Sequence, residues 1–88
     1  MGSKDCFADG FGTWHCRIAL PLSMSLSAAR RVGTHAARMS ILAELIEREQ
    51  RTGETYGQAW IRLNDYLTLS LIQADNDGRH HIFEFLES

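Results

Sequence analysis

Between Ser25 and Arg51 the chain carries a helical pattern that no proline interrupts, and a helix of that length constrains everything around it. Val32, Ala36, Met39, Ala43 and Ile46 recur at spacings of four and three, with Leu42 beside them. Serines at 23, 25 and 27 offer N-caps, Pro21 closes whatever precedes them, and Gly53 follows as a C-terminal stop. At 1.5 Å per residue such a helix is ~40 Å long, whereas an eight-residue strand reaches only ~27 Å. It must cross a sheet obliquely or project past it. The full length of 88 residues leaves room for one core, so the chain reads as one domain spanning 1–88. Residues 1–4 are expected to be flexible, with Met1-Gly2-Ser3 native or a tag remnant.

Strand patterns flank the helix. In DCFADGFGTWHCRIAL, residues 5–20, Gly10-Phe11-Gly12 can form a three-residue hairpin loop with Gly12 at positive φ. That register sets Cys6 opposite Cys16, Ala8 opposite Trp14 and Asp5 opposite Arg17. One face carries Cys6, Ala8, Trp14, Cys16, Ile18 and Leu20 toward a core; the other carries Phe7, His15 and Arg17. Residues 66–74 and 79–87 flank Asn76-Asp77-Gly78, a second glycine-ended loop. Pairing Asp75 with Arg79 there sets Leu71 against Phe83 and Leu69 against Phe85, with Ile72 facing Ile82 on the reverse side. Residues 57–63 fit a strand better than a short helix carrying Tyr56, Trp60 and Leu63. The expected fold class is α+β, a two-layer sandwich with one long helix on an antiparallel sheet, β-β-α-β-β or β-β-α-β-β-β.

This pattern supplies more apolar surface than one helix on one sheet can hide. The sheet face away from the helix would hold Phe7, Ile61, Leu63, Tyr66, Ile72, Ile82 and Leu86. On the helix, Ile41 and Leu45 project away from the stripe through Val32, Met39 and Ile46. Soluble monomers seldom expose contiguous apolar patches of that kind. The reading is a protein-interaction module, with Ile41, Leu45, Phe7, Ile72, Ile82 and Leu86 as interface residues and a homodimer or another protein as partner.

Chemistry is harder to find. Cys6, His15, Cys16 and the pair His80-His81 lack the C-x₂-C or H-x₃-H spacing that converges two donors on a metal. Adjacent strand residues also point to opposite faces. Both cysteines fall on the apolar face, where burial disfavours a reactive thiolate; their direct opposition permits a Cys6–Cys16 disulfide, but with no signal peptide in view two buried thiols in the reducing cytoplasm are the expectation. Glycine-rich phosphate loops, G-x-S-x-G and H-E-x-x-H are all missing from the sequence, so neither an enzyme nor a cofactor is expected. No apolar run approaches the ~20 residues of a membrane span. The alternative partner is nucleic acid: Arg30, Arg31, His35 and Arg38 make a basic flank, and no acid occurs between residues 10 and 43.

The opening DCFADGFGTWHCRI, followed by an alanine- and arginine-rich helix ending AELIERE, resembles small orphan accessory proteins of actinobacterial phages over roughly the first 50 residues. The resemblance implies a cytoplasmic protein made in an infected bacterium and acting on a host protein. It carries no motif with assigned chemistry, and so assigns no functional residue.

Overall fold

The structure, a computed structural model, describes residues 3–87. Two strands, β1 (Ser3–Ala8) and β2 (Trp14–Pro21), precede two helices, α1 (Leu26–Glu49) and α2 (Tyr56–Tyr66), and two more strands, β3 (Leu69–Asn76) and β4 (His80–Glu87), follow. The strands form one antiparallel sheet in the order β1-β2-β4-β3. Each hairpin pairs locally, and the helical crossover brings β4 beside β2. α1 packs on one face of this sheet and α2 packs on α1, so that both helices close one core with that face. Ser3 and Lys4 pair with Ala19 and Ile18, so they belong to β1 and not to a flexible tail; residues 1 and 2 lie outside the described residues.

The first hairpin has the expected register, with Cys6 opposite Cys16, Ala8 opposite Trp14 and Asp5 opposite Arg17. Gly12 takes φ +81° at the end of the loop. The cysteines depart from expectation. Facing each other at a Cα–Cα distance of 4.1 Å, they form a disulfide and not two free thiols; direct cross-strand opposition on one face places the sulfurs within bonding reach.

The helix begins where the caps allow. Ser25 accepts a hydrogen bond from the Ala28 amide at 3.2 Å. Its buried stripe differs from the one the large side chains suggest. Ala29, Gly33, Ala37, Ile41, Leu42, Leu45 and Ile46 face inward, while Val32 and Met39 are 47% and 40% exposed. Small residues allow the helix axis to come close to the sheet. A Cβ at Gly33 would stand 3.4 Å from Phe83 and 3.5 Å from Leu20. Ile41 and Leu45 therefore sit in the core, at 0% and 9% exposure, and are not available to a partner. The buried line through every fourth residue drifts ~40° per step around the helix, so α1 turns from the sheet at its start toward α2 at its end.

Residues 56–66 form the helix α2, not the expected strand, and the single long helix of the expected fold becomes two. Thr55 and Gln58 make a reciprocal capping box, with Thr55 N–H donating to Gln58 Oε1 at 3.0 Å and Gln58 N–H to Thr55 Oγ1 at 3.1 Å. Ala59 and Leu63 then face α1, which moves Leu63 from the outer sheet face to the core. Ile61 and Tyr66, also expected on the sheet, are exposed on α2. Two arginines tie the helices together reciprocally. Arg38 of α1 donates to the Asn64 and Leu67 carbonyls at 3.0 and 2.8 Å. Arg62 of α2 donates to the Glu49 carbonyl at 2.9 Å and grips both Glu54 carboxylate oxygens at 2.9 Å. Each guanidinium thus meets the electronegative C-terminus of the other helix.

The second hairpin is also shifted. Asp77 Oδ1 accepts from the Arg79 and His80 amides at 2.8 and 2.7 Å, which centres the turn later than expected, with Gly78 at φ +85°. Leu71 consequently faces Phe85, Ala74 faces Phe83 and Asp75 faces Ile82, with an irregularity between Leu71 and Gln73 at Ile72. Ile72 is therefore a bulge residue, not the partner of Ile82.

Two outcomes test this account. Closing a loop of 10 residues' separation, the Cys6–Cys16 bond should contribute ~2–3 kcal/mol through the unfolded chain. Urea unfolding of the Cys6→Ser, Cys16→Ser double variant should show that loss and no response to reductant. The Arg62 ion pair, with help from the Arg51 amide, holds the Glu54 carboxyl down at about 2 against an ordinary 4.5. A depressed carboxyl stabilises the fold fully above its unfolded value and loses that contribution as pH falls. Acid titration of stability should therefore show a component lost between pH 4.5 and about 2 that is missing in Glu54→Gln.

Candidate interaction surface

Antiparallel pleating sends alternate residues of each strand to the face opposite the helices. On β2 these are His15, Arg17 and Ala19, because Trp14, Cys16 and Ile18 are buried in the core. On β4 they are Ile82, Glu84 and Leu86, because Phe83 and Phe85 point inward with Cys16 and Ile18. The registers then lay out three rows across the sheet. Phe7, His15, Leu86 and Ser70 form the first; Asp5, Arg17, Glu84 and Gln73 the second; Ser3, Ala19, Ile82 and Asp75 the third.

No helix covers these rows. Phe7 and Ile72 are each 52% exposed and Leu86 is half-buried, whereas Ile82, expected at the interface, is only 9% exposed and, like Leu45, offers a partner almost no surface. A shallow cleft of about 280 Å³ runs between them, lined by Asp5, Phe7, His15, Arg17, Ile72 and Glu84. The Phe7 and His15 rings stack with centroids 5.1 Å apart and planes within 4°. His15 in turn is held by Asp9, Nε2 to Oδ2 at 2.9 Å. Asp9 also accepts from the Phe11 and Thr13 amides at 2.8 and 3.0 Å. These bonds, the His15 contact foremost, hold its carboxyl below the ordinary 3.8. The hairpin loop therefore positions an aromatic side chain on the sheet face. Asp9 serves the turn, as an aspartate beside a hairpin loop commonly does; its second role, holding His15, has no signal in the sequence.

The remaining candidates scatter. Arg30, Arg31 and His35 lie exposed along α1, beside Ser27 and Thr34 in an open groove. Arg38 differs from them, since its guanidinium is engaged by α2, including Asn64 Oδ1 at 2.7 Å. Of the basic flank, three side chains remain for an anion. Cys6 and Cys16 are bonded to each other, His80 leans toward Asp77 at 3.5 Å, and His81 turns to the opposite face to meet the Met24 carbonyl at 2.8 Å. Among the described residues no three histidine, cysteine or acidic side chains gather as a metal site. Among the described residues no helix is long and apolar enough to cross a membrane.

Comparison with family models, curated proteins and solved structures finds no match.

Arg38 and the other basic residues should separate in mutagenesis. Arg38→Gln leaves two helix-end carbonyls without their charged donor and should cost ~1.5–3 kcal/mol in chemical denaturation. Arg30→Gln with Arg31→Gln, on an exposed flank, should stay within ~0.5 kcal/mol of the parent.

Proposed function

We propose that the protein is a non-enzymatic interaction module that self-associates through the uncovered face of its sheet. One observation carries this: α1 packs on one side of the sheet and α2 packs on α1, leaving Phe7, Ile72 and Leu86 on a face that none of the described residues covers. The shape agrees. The Cα radius of gyration is 14.1 Å, against ~12 Å for a self-contained globule of this length. An elongated subunit covers less of its own apolar surface.

Edge pairing is the weaker route to association. β1 is short and carries Lys4 and Asp5, and β3 is bulged at Ile72, the devices by which sheet edges resist new strands. Face-to-face packing has no such obstacle. Four strands at ~4.8 Å spacing and about seven residues at ~3.3 Å give a face of ~450 Å² in projection. Protruding side chains bring its accessible area toward the ~600 Å² per partner of the smaller specific interfaces.

Beyond the second copy, the phage resemblance supports a host protein as further partner and the cytoplasm as compartment, where the Cys6–Cys16 bond would face a reducing thiol pool. A nucleic-acid role has the acid-free stretch from residue 10 to 43 in its favour, with Arg30, Arg31 and His35 as its contacts. Three side chains form a small phosphate footprint, and we rank it second.

Sedimentation equilibrium at micromolar concentration should show a monomer–dimer equilibrium. Phe7→Asp with Ile72→Asp should weaken it by ~100-fold or more while leaving the helical signal intact. A parent protein that is monomeric throughout overturns the reading. Ile41→Glu with Leu45→Glu, buried in the core, should unfold the chain and not merely dissociate it.

A further inference from the structure

Resting on the self-association reading, we infer that two copies pack sheet on sheet about a two-fold axis parallel to the strands and lying between β2 and β4, so that Arg17 of each subunit pairs with Glu84 of the other. The middle row of the open face contains the deciding charges. Asp5, Arg17 and Glu84 are consecutive across β1, β2 and β4. Arg17 nevertheless forms no ion pair or side-chain hydrogen bond among the described residues, and neither does Glu84. A cation flanked by two carboxylates and joined to neither is free to meet a carboxylate across an interface.

Symmetry limits how a second copy can sit. A two-fold axis in the interface plane and across the strands, at this row, sets Arg17 against Arg17 and Glu84 against Glu84. Moving that axis by half a row buries the charges against Ala19 and Ile82 in one direction, or against His15 and Leu86 in the other. Either arrangement is penalised, by repulsion or by unpaired burial. With the axis along the strands and between β2 and β4, each residue of β2 faces the residue of β4 that shares its row. Arg17 then meets Glu84 twice, His15 meets Leu86, and Ala19 meets Ile82. The outer strands exchange likewise, bringing Phe7 of one subunit toward the Ile72 bulge of the other.

This arrangement keeps the strands of the two sheets aligned, as in ordinary sandwiches. Sheets stack ~10 Å apart, a gap that an arginine and a glutamate extended toward each other can bridge. The two charge pairs flank the axis, where twist displaces facing residues least. Apolar contacts at the rows' ends contribute affinity, and the charge pattern selects one orientation, which is the usual role of charge at an interface.

Charge reversal tests the pairing by mixing variants. Arg17→Glu alone and Glu84→Arg alone should each weaken dimerisation by ~100-fold, since like charges then oppose one another at both pairs. Mixed together, they should form a heterodimer within ~10-fold of the parent affinity, measured by native mass spectrometry and sedimentation. In that heterodimer both intersubunit pairs are restored, whereas the β2–β4 neighbours within each chain remain like-charged. Rescue therefore reports contact between subunits and cannot come from repair within one. Should a reversal variant fail to fold, Arg17→Gln and Glu84→Gln serve a double-mutant cycle on dimer dissociation. Coupling supports the pairing; additivity overturns it. A parent that dimerises but shows neither rescue nor coupling overturns this arrangement and leaves self-association standing. A monomeric parent overturns both.

Discussion

The approach of α1 to the sheet at Gly33 sets the geometry on which the other layers rest. Ala29, Gly33 and Ala37 present almost no side chain to β2 and β4, so Ile18, Leu20 and Phe83 pack directly beneath the helix axis. A larger residue at Gly33 would lift the helix away, since real interiors have no spare volume of that size. The far end of α1, carrying Ile41, Leu42, Leu45 and Ile46, buries those side chains in the core that α2 helps to close.

Apolar contact alone leaves α2 with few constraints, as an 11-residue helix is marginal by itself. Its position is set by charge. Arg38 reaches across to the end of α2, and Arg62 reaches back to the end of α1. Each bond is charge-assisted and directional, and the two together determine both the offset and the rotation of one helix against the other. Glu54 completes the arrangement by accepting both arms of Arg62 in the connecting loop. The price of using Arg38 this way is functional: the basic flank of α1 loses its central cation.

With both helices on one side, the sheet is asymmetric in a way that bears on function. The inner face is closed by aromatic and aliphatic side chains; the outer face alternates Phe7, His15, Leu86, Ile82 and Ile72 with an unpaired charge row. Such a mixture is too apolar to suit bulk water and too charged to be a core. That mixture is the ground for the interface proposed above, in which apolar contact would contribute affinity and charge orientation. The disulfide strengthens the same face from behind, because Cys6 and Cys16 hold β1 against β2 where Phe7 and His15 stack.

Local features determined much of this fold from sequence alone. Gly12 placed the first turn, and period-two alternation from Cys6 to Leu20 then decided the register, because a slip of one residue would turn the whole apolar set to water. Ser25 and the run without proline determined α1. The helical spacing of Tyr56, Trp60 and Leu63 was legible too, but a strand over 57–63 competed with it, and the capping box at Thr55 with the docking of Ala59 and Leu63 on α1 decided for helix. The same is true of the helix stripe. Hydrophobic periodicity ranks residues by size, and so pointed to Val32 and Met39, whereas proximity to the sheet selected Ala29, Gly33 and Ala37. Ile41 and Leu45 could not be told from surface residues without α2 in place. The second turn moved because Asp77 captured two amides, a short-range competition that pairing patterns do not express. Contacts within a few residues are written in the chain; which faces meet, and which one stays uncovered, depends on all the elements packing at once.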